Sequence, residues 1–228
     1  DLYGVWGSGP TDVFAVGGYG TLLHYNGQGW QPMASSGTTD NLYGVWGSGP
    51  ADVFAVGVQG IVLHYDGQGW QTMVSDTTGD LFGVWGSGPT DVFAVGEYGT
   101  LLHYNGQGWQ PMASGTTDGF LLGVWGSGPA DVFAVGSNGT VLHYYGQGWQ
   151  PMASGTTARL SGVWGSGPTD VFAVGDDGTL LHYDGVGWLG LNSTTSIPFH
   201  GIGGYGTSFY VVGDQGTIFR HTQTVSSP

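Results

Sequence analysis

Residues 2–35 read LYGVWGSGPTDVFAVGGYGTLLHYNGQGWQPMAS, and this text recurs along the chain. A sixth, shortened copy begins near His200, and the full copies restart at four leucines: Leu42, Leu81, Leu121 and Leu160. The valine of each GVWG segment, with Ile202 in the last copy, recurs at steps of 40, 39, 40, 39 and 39 residues: Val5, Val45, Val84, Val124 and Val163. A period of this length predicts a propeller, a solenoid or a repeat array.

Each copy contains four short apolar stretches and no helical periodicity. In the first copy these are LYGVWG, DVFAVG, TLLHY and GWQPM, separated by SGPT, a Gly-Tyr-Gly turn and NGQG. Short stretches rich in Val, Phe, Tyr and Trp favour β-strands, and Asn-Gly or Asp-Gly between two of them favours a hairpin. The proline of GWQPM has no N–H and therefore belongs on an edge strand. Four antiparallel strands per repeat predict a propeller blade, whereas a β-solenoid coil would be shorter.

The copies predict an all-β, six-bladed β-propeller in a single domain, 1–228. The approximate blade boundaries are 1–40, 41–79, 80–119, 120–158, 159–198 and 199–228. The sixth blade lacks a GWQPM strand, because TQTVSSP contains no match to it. Thr222 to Ser227 could pair irregularly, or the strand could come from an upstream segment or from another chain. We favour an upstream strand or a three-stranded blade, and we expect a monomer unless another chain completes the blade.

Composition excludes several classes of partner. The chain has two Lys and Arg residues against sixteen Asp and Glu residues, for a formal charge of -14. Nucleic-acid binding needs cations that this chain lacks. There is no cysteine, and no apolar run approaches the length of a membrane-spanning helix. Because the chain opens within the repeat, we expect a further segment upstream. An acidic, Lys-poor, Gly-rich and Trp-rich composition favours an extracellular or periplasmic location in a bacterium.

The hairpin segments resemble a known motif. Residues 63–70, LHYDGQGW, and residues 181–188, LHYDGVGW, are similar to the aspartate-box hairpin of bacterial sialidase-like (BNR-type) propellers. The order Gly-Thr, two apolar residues, two further residues, Asp-Gly, two further residues and Trp also resembles the repeats of photosystem assembly-factor-like (Ycf48-like) propellers. Asn26, Asn105 and Tyr145 stand where that motif has aspartate. The resemblance implies the propeller fold and indicates little about function.

Five histidines and five aspartates recur once per blade, which raises the possibility of a metal ring or of acid–base groups. The histidines lie on the third strand, so neighbours should be about 15 Å apart, too far to share one ion bound at about 2.1 Å. We therefore expect each histidine to bond within its own blade, to the aspartate after SGP. The aspartate is expected to cap its own turn. These residues are His24, His64, His103, His143 and His182, with Arg220 in the sixth slot, and Asp12, Asp52, Asp91, Asp131 and Asp170, with Ser208 in the sixth slot.

Ten tryptophans form two sets. The GW set is expected to pack between blades: Trp30, Trp70, Trp109, Trp149 and Trp188. The VWG set ends the innermost strand, near the mouth of the channel, with Gly203 as the sixth counterpart: Trp6, Trp46, Trp85, Trp125 and Trp164. Exposed aromatic rings beside polar turns can stack on sugars, although core packing is the default for Trp in a β-protein. The VWG tryptophans are therefore the candidate ligand-binding residues.

The copies agree on one face of the blades and differ on the other. The turns between strands one and two and between strands three and four are almost unchanged and share one face, here named the uniform face. The opposite, variable face carries the diverging turns between strands two and three: Gly18-Tyr19, Val58-Gln59, Glu97-Tyr98, Ser137-Asn138, Asp176-Asp177 and Asp214-Gln215. A lectin with equivalent sites would use the uniform face, and an asymmetric protein partner would bind the variable one.

The sequence favours a non-catalytic recognition module over an enzyme. Two arginines cannot supply the arginine triad of a sialidase, and no Ser/His/Asp nucleophile is evident. We expect no cofactor, no metal and no catalytic residue. The first hypothesis is a multivalent carbohydrate-binding propeller whose several weak sites act together. The alternative is a protein–protein interaction scaffold, a module of a larger exported bacterial protein.

Overall fold

Alternating and continuous apolar stretches form strands throughout the chain. The computed structural model describes residues 1–34, 37–116, 119–206 and 208–222. The chain is an all-β, six-bladed propeller, with four antiparallel strands in each of five blades and three in the sixth. Within each blade the strands pair in chain order, so every connection joins neighbours. The predicted fold is confirmed.

By contacts between residues, the chain divides into two compact units, Asp1–Asp118 and Gly119–Pro228. The first unit contains blades 1 to 3. Their strands are β1 (Leu2–Gly9), β2 (Asp12–Gly17), β3 (Leu22–Tyr25) and β4 (Trp30–Pro32); β5 (Leu42–Gly49), β6 (Asp52–Gly57), β7 (Val62–Tyr65) and β8 (Trp70–Met73); β9 (Leu81–Gly88), β10 (Asp91–Gly96), β11 (Leu101–Tyr104) and β12 (Trp109–Pro111). The prediction of a single domain stays a prediction.

The second unit contains blades 4 to 6. Their strands are β13 (Leu121–Gly128), β14 (Asp131–Gly136), β15 (Val141–Tyr144) and β16 (Trp149–Met152); β17 (Leu160–Gly167), β18 (Asp170–Gly175), β19 (Leu180–Tyr183) and β20 (Trp188–Gly190); β21 (Phe199–Tyr205), β22 (Ser208–Gly213) and β23 (Ile218–Thr222). Among the described residues, blade 6 has no fourth strand. The predicted pairing of Thr222 to Ser227 falls almost wholly outside the described residues.

The second strand of each blade is the centre of its core. In β6, Val53, Phe54, Ala55 and Val56 are all fully buried. Phe54 and Val56 pack against blade 3, whereas Val53 and Ala55 pack against blade 1. Because both faces of the strand are covered, its sequence is continuously apolar rather than alternating.

A glycine allows the first strands of adjacent blades to approach closely. A Cβ placed on Gly47, the last residue of GVWG in blade 2, would lie 2.8 Å from Cη2 of Trp6 in blade 1. The same contact, at 2.6 Å, joins Gly86 to Trp46. Any side chain at these glycines would displace the indole ring of the preceding blade.

Candidate functional site

Each of the five full blades contains a Ser–Asp–His hydrogen-bond network on its uniform face. In blade 2, Nε2 of His64 lies 2.6 Å from Oδ1 of Asp52, whose Oδ2 accepts a hydrogen bond from Oγ of Ser48. The His64 ring stacks on Phe54 with 4.4 Å between ring centroids. The other four networks have histidine–aspartate distances of 2.5–2.8 Å: Ser8–Asp12–His24, Ser87–Asp91–His103, Ser127–Asp131–His143 and Ser166–Asp170–His182.

The three side chains of this network are not arranged as a catalytic triad. The carboxylate lies between serine and histidine, so the imidazole is not placed to take the proton of the serine hydroxyl, as a general base must be. The expectation that each histidine bonds to the aspartate of its own blade is confirmed. The aspartate also accepts a hydrogen bond across its own turn, from the serine hydroxyl four residues earlier, and capping of backbone N–H groups by this side chain stays a prediction. Strand pairing, which places Phe54 opposite His64, brings the histidine to the aspartate.

Blade 6 replaces this network. Arg220 occupies the histidine position and lies over the ring of Tyr210, with its Cζ 5.8 Å from the centroid. On the opposite face, His200 and Asp214 form a pair at 2.6 Å, and both side chains are more than half exposed. Blade 6 therefore differs from the others by one cation over an aromatic ring and one exposed histidine–aspartate hydrogen bond.

His143 differs from its counterparts because a tyrosine covers it. Tyr145 stands where other copies have Asn or Asp, and its ring centroid is 4.0 Å from that of His143. The His143 side chain is 4% exposed, whereas that of His103 is 25% exposed. Burial lowers the pKa of His143 below its ordinary value, although its hydrogen bond to Asp131 opposes the shift.

In four of the five full blades, a side-chain oxygen of Asn or Asp fixes the hairpin turn between strands three and four, and Tyr145 takes that position in blade 4. Oδ1 of Asp66 accepts hydrogen bonds from the backbone N–H groups of Gln68 and Gly69, at 2.9 and 3.0 Å. These bonds hold the pKa of Asp66 below its usual range, and Asp184 has a lowered pKa for the same reason. The uniformity of this turn thus has a structural cause.

The VWG tryptophans, which are the candidate ligand-binding residues, are all partly buried: Trp6, Trp46, Trp85, Trp125 and Trp164. Trp46 stacks on Phe54, with 6.4 Å between ring centroids, and packs against the core between blades 2 and 3. Trp164 packs in the same way between blades 5 and 6. These contacts account for much of each indole surface, and sugar binding by the exposed remainder stays a prediction.

The GW tryptophans pack between blades, as predicted, wherever their contacts are described. Trp70 meets Phe14 of blade 1 edge-on, with 6.2 Å between centroids, and its Nε1 lies 3.4 Å from Sδ of Met33. Trp109 and Trp188 make the same edge contact with the preceding blade. Trp30 in blade 1 is the exception, at 48% exposed.

On the variable face, each turn between strands two and three displays an exposed side chain on a hydrogen-bonded backbone of left-handed conformation. In blade 2, the N–H of Ile61 donates to the carbonyl of Val58 at 3.1 Å, and both Gln59 and Gly60 have positive φ. The residue before the glycine has a φ of 54–57° in all six blades: Tyr19, Gln59, Tyr98, Asn138, Asp177 and Gln215. Tyr19 is 88% exposed and Tyr98 is 69% exposed.

The links between blades anchor these turns. The N–H of Gln59 donates to Oδ1 of Asp80, and the N–H of Tyr19 donates to Oδ1 of Asn41. Beside the turn of blade 2 lies a shallow groove of about 430 Å³, lined in part by Gln59, Ser75 and Thr77. An equivalent groove of about 630 Å³ lies beside the turn of blade 4. The variable face thus offers shallow polar grooves between protruding side chains.

An aromatic row on this face was missed by the sequence analysis. Tyr3 and Tyr43 have ring centroids 5.6 Å apart, and Tyr43 and Phe82 have centroids 5.5 Å apart. Each ring follows the first leucine of its repeat, and in the other copies this position holds Leu122, Ser161 and His200. That divergence between copies was the available signal.

Within the described residues, no group of three His, Asp or Glu side chains could hold a metal ion. The same part of the chain contains no helix long and apolar enough to cross a membrane.

No protein-family model and no curated protein matches this chain. Similar solved structures include "YCF48 from Cyanidioschyzon merolae", with a TM-score of 0.73 and 16% identity over 96% of this chain and 81% of that one. Another is "YCF48 bound to D1 peptide", with a TM-score of 0.75 and 18% identity over 99% of this chain and 78% of that one. The shared feature is the propeller fold. The closer resemblance to bacterial aspartate-box propellers stays a prediction.

Proposed function

We propose that this propeller is a non-catalytic protein-interaction module that binds its partner on the variable face. The observation that carries the proposal is the set of exposed, differing side chains on that face. A surface that differs from blade to blade suits an asymmetric protein, whereas identical sites suit repeated small ligands. An extracellular or periplasmic location in a bacterium is part of this proposal.

The turn geometry supports binding because it presents side chains with little motion to lose. Two consecutive residues with positive φ and a hydrogen bond across them fix the backbone of each turn. Exposed tyrosines on such turns supply large contact area with few rotatable bonds. Tyr19 and Tyr98 are of this kind.

A protein of the same fold supports a peptide as partner. The similar structure with the higher of the two TM-scores is described as Ycf48 bound to D1 peptide. This description concerns that protein, and we extend to this chain only the expectation that the fold can present a peptide-binding face. By contrast, the multivalent glycan hypothesis has no comparable support, since the VWG rings are largely occupied in packing.

Site-specific photo-crosslinking tests the proposal. A photoreactive amino acid is placed singly at Tyr19, Gln59 or Tyr98 on the variable face, and crosslinked proteins from the source cell are identified by mass spectrometry. Matched control sites in the same three blades lie on the uniform face and are also exposed: Gln28, Gln68 and Gln107. We expect the variable-face sites, and not the controls, to crosslink the same protein. Equal crosslinking from both faces would overturn the assignment.

A glycan array tests the alternative function. The carbohydrate hypothesis requires binding that is lost in a folded variant combining Trp46→Ala, Trp85→Ala and Trp125→Ala. We expect no glycan binding by the native chain. Binding that depends on these tryptophans would replace our proposal with the lectin function.

A further inference from the structure

The aromatic row consists of three neighbouring, partly exposed rings, one from each of blades 1 to 3. Tyr3, Tyr43 and Phe82 follow one another at 5.6 and 5.5 Å, tilted by 52° and 40°. Tyr3 is 49% exposed, and the other two are partly exposed. Three neighbouring rings at the start of the innermost strands offer stacking faces rather than a closed pocket.

The first unit, which carries this row, is acidic and contains no Lys or Arg. Asp1–Asp118 holds ten of the sixteen acidic residues and neither of the two arginines. Asp1, Asp40 and Asp80 precede the three rings by two, three and two residues. Asp1 is exposed, and the other two are partly exposed. On the uniform face of the first unit, by contrast, Asp12, Asp52 and Asp91 each already have a histidine partner.

We propose that this row binds an extended peptide segment bearing arginine or lysine at alternate positions. Aromatic faces attract guanidinium and ammonium groups, and nearby carboxylates add to that attraction. In an extended peptide, side chains that point the same way repeat at about 6.6 Å, close to the spacing of the rings. The inference rests on the proposed function, since it names the partner chemistry that the variable face of the first unit fits.

Peptide binding measured by fluorescence anisotropy tests the inference. The probe is labelled Gly-Arg-Gly-Arg-Gly-Arg-Gly, and its matched control has Gln in place of Arg. We expect the arginine peptide to bind, with affinity falling as salt rises, and the glutamine peptide not to bind. Tyr43→Ala should weaken binding about tenfold, whereas Tyr43→Phe should retain it, because the ring supplies the interaction.

Two control variants separate this surface from general effects. Tyr145 on the uniform face is 49% exposed, as Tyr3 is, so Tyr145→Ala should leave peptide binding unchanged. Asp80→Asn should weaken binding and reduce its salt dependence, whereas Asp66→Asn on the uniform face should not. Circular dichroism and thermal melting confirm that each variant is folded.

The outcomes distinguish this inference from the proposed function. Equal binding of the two peptides, or equal losses in Tyr43→Ala and Tyr145→Ala, would overturn the aromatic row as a cation-binding surface. If neither peptide binds while variable-face crosslinks still identify one protein, the inference fails and the proposed function stands. If the peptide binds through Tyr43 but no partner crosslinks to the variable-face turns, the row is a cation-binding surface and the proposed binding of a protein partner by those turns fails.

Discussion

The partly buried hydrogen-bond network of each full blade shows how a single aspartate joins three strands. In blade 2, Asp52 begins β6 and contacts Ser48 on β5 and His64 on β7. The Asp52 and His64 side chains are 23% and 26% exposed, so solvent screens their interaction only in part. Removing one partner leaves the other under-satisfied, which is more damaging than the loss of one exposed bond.

His64→Ala should therefore lower the free energy of unfolding by about 1–3 kcal/mol, through loss of the bond to Asp52 and of stacking on Phe54. Urea denaturation monitored by tryptophan fluorescence measures the change. The matched control is His200→Ala, whose bond to Asp214 has the same length, 2.6 Å, but is exposed. We expect that variant to lose less than about 1 kcal/mol. Equal losses would show that burial does not determine the value of the bond.

The covering of His143 by Tyr145 predicts a pH effect confined to one blade. Since burial lowers the folded-state pKa of His143, the unfolded chain takes up the proton first as pH falls. The stability that the neutral imidazole contributes is complete above its unfolded pKa and is lost as pH falls through its folded pKa. Tyr145→Asn, which restores the residue of copies 1 and 3, should raise the pKa of His143 in an NMR titration. An unchanged pKa of His143 in this variant would contradict the covering ring as the cause.

Among elements, the turns between strands two and three depend on one glycine. Gly60 has a φ of +72°, and a Cβ there would lie 2.3 Å from the carbonyl oxygen of Thr77 in the following link. The turn and the link are therefore in direct backbone contact. The same contact recurs at Gly20, Gly99, Gly139 and Gly178, whereas at Gly216 in blade 6 only the positive φ favours glycine.

Gly60→Ala should destabilise the protein by about 2–4 kcal/mol, because the left-handed conformation and the backbone clash act together. Gly69→Ala in the same blade is the control, since nothing lies within 4 Å of a Cβ at that glycine. We expect that change to alter stability by less than about 1 kcal/mol. Chemical denaturation of both variants gives the comparison, and similar effects would refute the role assigned to the Thr77 contact.

The fourth strands of blades 1 and 2 contribute differently to the free energy of unfolding although their sequences are nearly the same. Trp70 is 6% exposed and packs edge-on against Phe14, whereas Trp30 at the same position of blade 1 is 48% exposed. Trp70→Ala should lower the free energy of unfolding by about 3–5 kcal/mol, as expected for a large buried ring. Trp30→Ala should cost about half of that or less, because part of its surface is already in water. Differential scanning calorimetry would contradict this account if it ranked the two variants in the opposite order.

Periodicity predicted the strands, the hairpins, the edge proline and the histidine–aspartate pairs, because each depends on residues within one repeat. The aromatic row could not be predicted in this way. The pairing of β1 with β2 shifts register between Leu2 and Gly4, so Tyr3 lies at an irregularity where strict alternation no longer fixes side-chain direction. The exposure of Trp30 was also missed, because Trp30 and the buried Trp70 stand in nearly identical repeat sequences.

At the scale of the whole molecule, stability arises between neighbouring blades. Each hydrophobic cluster combines the second strand of one blade with residues of the next, as between blades 2 and 3 and between blades 5 and 6. In blades 1 and 6, some positions that are buried in other blades are exposed. Val5 is 69% exposed and Val212 is 46% exposed, whereas their counterparts Val45 and Val174 are buried. Repeat proteins of this kind open most readily where neighbour contacts are fewest.

Hydrogen exchange followed by mass spectrometry should therefore show lower protection factors in β21–β23 than in β5–β8, by about tenfold or more. Phe54→Leu tests the coupling, since Phe54 belongs to blade 2 but contacts Tyr104 and Trp109 of blade 3. We expect protection to fall in both blades together. Tyr210→Leu changes the same position in blade 6, where the ring is 47% exposed, and should alter exchange only within that blade. Uniform protection along the chain, or a Phe54→Leu effect confined to blade 2, would show that the blades open independently of their neighbours.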